Sequence, residues 1–289
     1  MHATPVRTLA GLPDPGRTLV MGVLNVTPDS FSDGGRYLDS NDAVRHGREM
    51  TESGADLVDV GGESTRPGAD RPSIDRELER VIPVIEQLAA AGVVVSIDTM
   101  RAEVARQAVG AGARLVNDVS GGLADATMLA TIADLGVPCV LMHWRAHSAS
   151  MADFARYDDV VTEVIAELGD RVVAAERAGI QPGRVAVDPG IGFAKKPDHN
   201  WTLMASLERL HELGRPVVLG TSRKRFLGEL LGDAEGGQRP PDQRDDATAA
   251  TTVLAVAAGI WCVRVHDPRS SADAVRVAAR VAEEAADER

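Results

Sequence analysis

The chain has 289 residues, of which 44% are hydrophobic but only 3% aromatic, so its core must consist mainly of Val, Leu, Ile and Ala. The formal net charge of −12 argues against a surface that binds nucleic acid or an anionic membrane. A membrane span requires about 18 apolar residues, and no apolar run in the sequence is that long. We therefore predict a cytoplasmic protein with neither a membrane nor a nucleic-acid partner.

Short apolar runs alternate with longer helical patterns along the whole chain. Most runs are rich in Val, as is typical of parallel strands covered on both faces. The predicted strands lie over residues 19–24, 57–60, 93–97, 115–119, 139–143, 184–187, 216–220 and 260–266. The main predicted helices lie over residues 41–53, 74–91, 101–111, 125–135, 158–178, 199–213, 246–258 and 270–286.

Eight strand–helix units in an unbroken series favour a closed barrel over an open doubly wound sheet. We predict an α/β protein that folds as one (β/α)8 TIM barrel over residues 17–289. Residues 1–16 contain Pro and Gly but no apolar signal-peptide core, so they are predicted to form a flexible N-terminal leader.

Polar side chains follow the predicted strands at the end where a barrel carries its active site. Each alone has an ordinary explanation as a helix cap, a turn former or a buried polar group. Their recurrence at strand after strand favours a polar ligand instead. These strand-end residues include Asn25, Asp98, Asn117, His143, Asp188, Lys224, Arg264 and His266.

The strand-end residues divide into two chemical groups. Asp98, Asn117 and Asp188 suit a flat heterocycle that has several N–H donors and a carbonyl. A second group is cationic or can become so and, with two hydroxyls, suits phosphate or diphosphate. Asn25 can help to hold Mg²⁺, which prefers oxygen ligands. The combination indicates transfer of a group activated by diphosphate. The anion-binding group comprises Thr65, Arg66, Ser222, Lys224, Arg264 and His266.

Residues 188–195 illustrate the ambiguity of a single strand end. Asp188 ends an apolar strand and is followed by two glycines, Phe193 and Lys195. Taken alone, this segment is as consistent with a helix cap as with a ligand site. We assign no role to Lys195 from the sequence and expect it at the surface or in a supporting position.

Several motifs resemble those of the dihydropteroate synthase family. They occur in the family's order from about residue 18 to residue 286. The segments 142–145, 200–201 and Arg225 resemble the actinobacterial branch in particular. The family motifs occupy residues 25–35, 61–68, 96–99, 117–122, 188–195, 222–224 and 264–267.

The resemblance implies a reaction in folate synthesis. The amine of 4-aminobenzoate attacks the methylene of (7,8-dihydropterin-6-yl)methyl diphosphate, which yields 7,8-dihydropteroate and releases diphosphate. Sulfonamides are expected to compete with 4-aminobenzoate. The resemblance further implies a homodimer, formed through late helices of the chain.

The resemblance also implies a role for each matching residue. The pterin is held by Asp98, Asn117, Met142, Asp188 and Lys224, and the diphosphate by Asn25 through Mg²⁺ and by Thr65, Arg66, Arg264 and His266. The aminobenzoate pocket is implied to involve Phe31, Thr65, Arg66, Pro67, Phe193 and the backbone of Arg225. The family often has serine at the position of Arg225. The residues implied in catalysis are Asp33, Arg66, Lys224, Arg264 and His266.

This chemistry needs little general base catalysis, because an arylamine is a neutral nucleophile. The barrier lies mostly in breaking the C–O bond to diphosphate, so we expect an S_N1-like path with electrostatic stabilisation of the leaving anion. Two alternatives remain open. A pterin-dependent methyltransferase would share the Asp and Asn contacts but would not need Arg264 and His266 for diphosphate. An inactive, pterin-binding paralogue is the other.

Overall fold

The structure, a computed structural model, describes residues 5, 8–27, 40–63, 71–233 and 235–287. Its strands are β1 Leu19–Asn25, β2 Leu57–Gly61, β3 Val95–Asp98, β4 Leu115–Asp118, β5 Cys139–Met142, β6 Val185–Asp188, β7 Val218–Leu219 and β8 Cys262–Val265. Its α-helices are α1 Ser40–Glu52, α2 Ile74–Ala90, α3 Ala102–Gly110, α4 Met128–Leu135, α5 Val160–Arg177, α6 Pro197–Met204, α7 Arg225–Leu230, α8 Asp245–Ala257 and α9 Pro268–Asp287. Short 3₁₀ helices lie at Met151–Phe154, Pro182–Arg184, Leu207–Leu213 and Pro241–Gln243.

The eight strands form one parallel sheet in the order β6-β5-β4-β3-β2-β1-β8-β7. A parallel bridge between Val187 and Val217 joins the two outer strands, and the Val187 N–H donates to the Pro216 carbonyl at 2.9 Å. The sheet therefore closes on itself. The predicted (β/α)8 barrel is confirmed, and its closure brings all strand ends to one rim.

Successive side chains of each strand point alternately into the barrel and out toward the helices. The lower part of the interior is apolar, and Leu115 and Ala186 belong to it. The next inward residue on each of these strands is a predicted site residue, Asn117 or Asp188. Because inward-facing side chains are two residues apart, the apolar layer at the bottom of the barrel is followed directly by a polar layer above it. Other floor residues are Leu19, Met21, Leu57, Val140, Val218 and Cys262.

Part of the predicted leader is packed against the barrel floor. Leu9 is buried among the floor residues, and the Ala10 N–H donates to the Gly183 carbonyl at 2.9 Å. The Arg114 guanidinium also donates to the Gly11 carbonyl at 2.7 Å. Residues 9–11 of the predicted leader therefore contact the barrel, where an apolar side chain covers its lower end, and the flexibility of residues 1–16 stays a prediction.

The helix predicted over residues 199–213 is two elements. Helix α6 ends at Met204, and a 3₁₀ helix follows over Leu207–Leu213. Ser206 has φ −126° and ψ 24°, which lie outside the α-helical region and interrupt the i to i−4 hydrogen bonds. Within the described part of the chain, no helix combines the length and the apolar character needed to cross a membrane.

Candidate active site

The three residues predicted to recognise a heterocycle share the upper rim of the barrel. Asp98 and Asn117 are register partners on β3 and β4, and Asp188 ends β6. All three are buried, with exposed fractions of 8%, 4% and 7%. Polar groups this buried cost free energy unless they are paired, so an arrangement of this kind indicates a ligand or internal partners.

Arg264 provides one such internal partner. Its Nε lies 2.6 Å from Asp59 Oδ2 and its Nη2 lies 2.6 Å from Asp98 Oδ2. The Asn117 amide donates to the same Asp59 oxygen at 2.9 Å. Two nitrogens of Arg264 thus bind the carboxylates of Asp59 and Asp98, and its predicted contact with diphosphate stays a prediction. The guanidinium therefore fixes the positions of the residues that would read a ring.

Asp59 was missed by the sequence analysis. It lies within β2, is fully buried, and its Oδ1 has no hydrogen-bond partner among the described residues. An acid in the middle of an otherwise apolar buried strand was the available signal, because a buried carboxylate requires a partner. We name Asp59, Asp98, Asn117 and Arg264 the rim network.

The electrostatics of the rim favour ligands that donate hydrogen bonds. Burial raises the pKa of Asp98 to about 7, although the Arg264 guanidinium opposes this change. Burial also raises the pKa of Asp188, against the N–H that Gly190 donates to its Oδ1 at 2.7 Å. The pKa of Lys224 changes in the opposite direction, because burial lowers it to about 8. N–H donors of a bound ring would stabilise both carboxylates in their charged form.

An apolar wall stands beside these polar groups. Met142 packs with Met100 and Val119, and Phe193 packs against this cluster. The Lys224 Nζ lies 4.0 Å from the centroid of the Phe193 ring, which is a cation–π contact. Met142 and Phe193 were predicted site residues, and the structure brings them together. Met100 and Val119 were not predicted, although each follows a strand end.

The surroundings of His266 favour its neutral form near pH 7. Burial lowers its pKa to about 3, and the nearby Arg264, Arg223 and Lys224 charges act in the same direction. Ser222 Oγ accepts the His266 backbone N–H at 3.1 Å and lies 3.0 Å from His266 Nδ1. The hydroxyl can therefore donate to Nδ1, which leaves Nε2 as the protonated ring nitrogen and a hydrogen-bond donor.

Five predicted residues lie outside the described part of the chain: Phe31, Asp33, Thr65, Arg66 and Pro67. The described residues on both sides of segment 64–70 form ion pairs. Glu63 binds Arg71 at 3.0 Å, and Arg101 binds the buried Glu77 at 2.8 Å. The Arg101 guanidinium also donates to the Pro72 carbonyl at 2.5 Å. The pair of Glu63 and Arg71 thus links the two flanks to each other, and Arg101, which precedes α3, links the second flank to helix α2.

Arg225 presents a side chain that is 78% exposed and paired with Glu229 at 2.7 Å. Its guanidinium therefore contacts its own helix, and no side-chain role in a ligand pocket follows from these contacts. The resemblance implied a backbone contact at this position, which stays a prediction.

Asn25 was the predicted Mg²⁺ ligand, and it ends β1. A Cβ built on the neighbouring Gly61 would lie 3.7 Å from Asn25 Oδ1 and 3.6 Å from Asp98 Oδ2, so both oxygens face the same place above β2. Among the described residues, no group of three or more His, Cys, Asp or Glu side chains could hold a metal ion. Asn25 Oδ1 is an oxygen donor of the kind that Mg²⁺ prefers, and the Mg²⁺ site stays a prediction.

Comparisons with known proteins agree with this geometry. The family model described as pterin binding enzyme matches residues 21–266. The dihydropteroate synthase of Mycobacterium leprae is 56% identical over 259 residues, which are 89% of this chain and 91% of that protein.

Two solved structures are also similar. The Xanthomonas albilineans dihydropteroate synthase with 4-aminobenzoic acid has a TM-score of 0.85 at 48% identity, covering 92% of this chain and 93% of that one. The same enzyme in complex with 7,8-dihydropteroate has a TM-score of 0.82 at 46% identity, covering 92% and 94%. The chain therefore belongs to the family of pterin-binding enzymes and, within it, to the dihydropteroate synthases.

Proposed function

We propose that this chain condenses (7,8-dihydropterin-6-yl)methyl diphosphate with 4-aminobenzoate to give 7,8-dihydropteroate and diphosphate. The observation that carries the proposal is the joint placement of Asp98, Asn117 and Asp188 on one buried rim. That rim adjoins the apolar pair Met142 and Phe193. A flat ring with several N–H donors satisfies the carboxylates and packs against the apolar wall.

Asp98 and Asp188 bind the pterin in this proposal. Their carboxylates accept N–H groups of the ring, and Asn117 both donates and accepts. The same carboxylates stabilise positive charge that develops on the pterin methylene as the C–O bond breaks, which supports an S_N1-like path. Lys224 adds a donor at the pterin's carbonyl edge and contacts the Phe193 ring.

The leaving diphosphate meets cations and hydrogen-bond donors of the rim. Arg264 is charged, since the adjacent Asp59 and Asp98 raise its pKa although burial opposes them. His266 contributes its Nε2–H as a neutral donor. Arg66 and Thr65 are proposed to contact the same anion. Mg²⁺, held through Asn25 and the phosphate oxygens, would supply further charge neutralisation when bound.

The 4-aminobenzoate ring is proposed to pack on Phe193. This side chain is partly exposed and lies next to the Lys224 ammonium, so it offers an apolar face close to a positive charge. Phe31, Thr65, Arg66, Pro67 and the Arg225 backbone complete the proposed pocket. Asp33 is proposed to assist from the first loop.

Product analysis separates this function from the methyltransferase alternative. The purified protein is mixed with the pterin diphosphate, 4-aminobenzoate and Mg²⁺, and the mixture is examined by mass spectrometry. We expect 7,8-dihydropteroate, since the rim offers donors for a diphosphate leaving group. Absence of that product, together with methyl transfer from a methylated pterin to a corrinoid, would favour the alternative.

We also propose a homodimer formed through the late helices. Leu254 of α8 is 55% exposed, and Val277 and Val281 of α9 are 65% and 64% exposed. Helices α8 and α9 pack against each other, so these apolar groups lie on adjoining elements. Light scattering is expected to give twice the mass of the chain. The Val281→Lys variant should shift this mass toward the monomer, and a wild-type monomer at micromolar concentration would contradict the proposal.

A further inference from the structure

We propose that Lys195 is the positioning residue of the loop between β6 and α6, where its ammonium group holds Asp188 and Phe193 in their binding positions. The inference deepens the proposed function and rests on it for the meaning of those two side chains. Lys195 belongs to a polar cluster that the proposed reaction does not use. We name this the Lys195 cluster; its members are Lys195, His143, Glu167, Arg145 and Tyr157.

The Lys195 ammonium has three acceptors at hydrogen-bond distance. Its Nζ lies 2.9 Å from His143 Nδ1, 3.1 Å from the Gly190 carbonyl and 3.1 Å from the Phe193 carbonyl. A lysine ammonium has three N–H donors and no acceptor, so these three partners match its capacity. Two of the three are carbonyls of the loop itself. The side chain therefore folds back and links both ends of the segment 190–193.

The loop needs such a link because its backbone is unusual. Gly190, Gly192 and Ala194 have positive φ values of 66°, 79° and 47°. This conformation suits glycine but is strained for Ala194. A Cβ on Gly190 would lie 2.5 Å from the His143 carbonyl, so the loop is pressed against the end of β5. Side-chain contacts are therefore needed to hold this conformation.

His143 is built to accept the Lys195 hydrogen bond. Its Nε2 lies 2.9 Å from Glu167 Oε2, and the Arg145 Nε lies 3.1 Å from the same oxygen. Burial lowers the pKa of His143 to about 4, so the imidazole is neutral at pH 7. With Nε2–H donating to the carboxylate, Nδ1 has a free lone pair for Lys195. Helix α5 thus orients the ring that receives the lysine.

Tyr157 completes the support from a second side. Its hydroxyl donates to the Ala194 carbonyl at 3.0 Å, and the Arg145 guanidinium stacks 3.9 Å from the centre of its ring. The carbonyls of Gly190, Phe193 and Ala194 are therefore all bound by the Lys195 cluster. Asp188 at the start of the loop is bound to a cluster member through its carbonyl, which accepts the His143 backbone N–H at 2.8 Å, and its Oδ1 accepts the Gly190 N–H. A shift of Gly190 would therefore move both Asp188 and Phe193.

Lys195→Met is the direct test, with Lys196→Met as the matched control. Lys196 is the next residue and is exposed, so its loss removes a lysine without touching the cluster. Burial lowers the pKa of Lys195 to about 7, so the comparison is made at pH 6, where the ammonium form predominates. We expect the KM for 4-aminobenzoate to rise about tenfold, as for loss of hydrogen bonds to a charged group, with kcat within about threefold.

Hydrogen exchange provides a readout that does not depend on turnover. The Phe193 N–H donates to the Gly190 carbonyl, so in Lys195→Met this amide should exchange faster, while Lys196→Met leaves it unchanged. Equal exchange in both variants, or a fall in kcat without a rise in KM, would overturn the proposal. Lack of wild-type turnover with faster exchange would instead reject the proposed function alone.

A second pair of variants keeps the inference testable if Lys195→Met fails to fold. His143→Gln retains an acceptor for Lys195 and a donor for Glu167, whereas His143→Leu removes both. We expect His143→Leu to reproduce the raised KM and faster exchange, and His143→Gln to remain within about threefold of wild type. Equal behaviour of the two would contradict a positioning role.

Discussion

The Arg264→Met variant is expected to lose both stability and activity. Arg264 binds Asp59 and Asp98 at 2.6 Å each, and its side chain is 20% exposed. Its removal leaves two carboxylates of the rim network without their cation. The free energy of unfolding should fall by about 2–4 kcal/mol, somewhat less than for a fully buried pair because solvent reaches part of the guanidinium. Urea denaturation measures this change.

The same substitution should lower kcat by about 100-fold or more, since it removes a cation proposed to face the leaving diphosphate. Arg276→Met is the matched control. Arg276 pairs with Asp273 on the surface, with side chains 63% and 66% exposed, and its loss should change stability by less than about 1 kcal/mol. Unaltered stability and turnover in Arg264→Met would show that the rim network is not a functional unit.

A double substitution identifies the cause of the stability loss. Adding Asp59→Asn to Arg264→Met neutralises the carboxylate that the arginine leaves behind. Part of the lost free energy of unfolding should return, because the remaining Asp98 no longer faces a second buried charge. Activity should stay low, since the arginine is still missing.

The Asp188→Asn variant is expected to bind the pterin diphosphate about 100-fold more weakly than wild type, as for replacing a charge-assisted acceptor with a donor. Asp188 Oδ1 accepts the Gly190 N–H at 2.7 Å. The asparagine oxygen can keep that bond, so its amino group takes the position of the other carboxylate oxygen. A donor then faces the N–H groups of the pterin. Calorimetric titration without 4-aminobenzoate measures this affinity.

Stability should respond differently from affinity in Asp188→Asn. Burial raises the pKa of Asp188, which means that the folded protein disfavours the charged form relative to the unfolded chain. The neutral amide removes this cost, so the free energy of unfolding should not fall by more than about 1 kcal/mol. The exposed Asp273→Asn variant serves as the control. Equal pterin affinity in wild type and Asp188→Asn would place the ring elsewhere.

The barrel and the location of its site could be predicted because they depend on local patterns. Apolar runs and helical periodicity define the eight units, and residues such as Asn117 and Asp188 follow the apolar runs directly. Parallel strands in a closed barrel must end at one rim. Once the fold class was predicted correctly, the local pattern of each strand therefore indicated which distant residues lie together at the rim.

The contacts of Asp59 and Lys195 show what the sequence could not reveal. Asp59 contacts Arg264, 205 positions away, and nothing near either residue specifies the pairing. The side chain of Lys195 folds back over its own loop, and this arrangement depends on the positive φ of Ala194. Leu9 is a third case, since a single apolar residue in a Pro- and Gly-bearing segment carries no periodicity.

The most direct measurement of the proposed chemistry follows both products in the same sample. The protein is mixed with pterin diphosphate and Mg²⁺, with or without 4-aminobenzoate, and diphosphate and 7,8-dihydropteroate are quantified over time. We expect equal amounts of the two products with 4-aminobenzoate, and a marked fall in both after Mg²⁺ is removed with a chelator. Diphosphate release that is unaffected by 4-aminobenzoate, with no 7,8-dihydropteroate formed, would contradict the assignment of the barrel rim as a dihydropteroate-forming site.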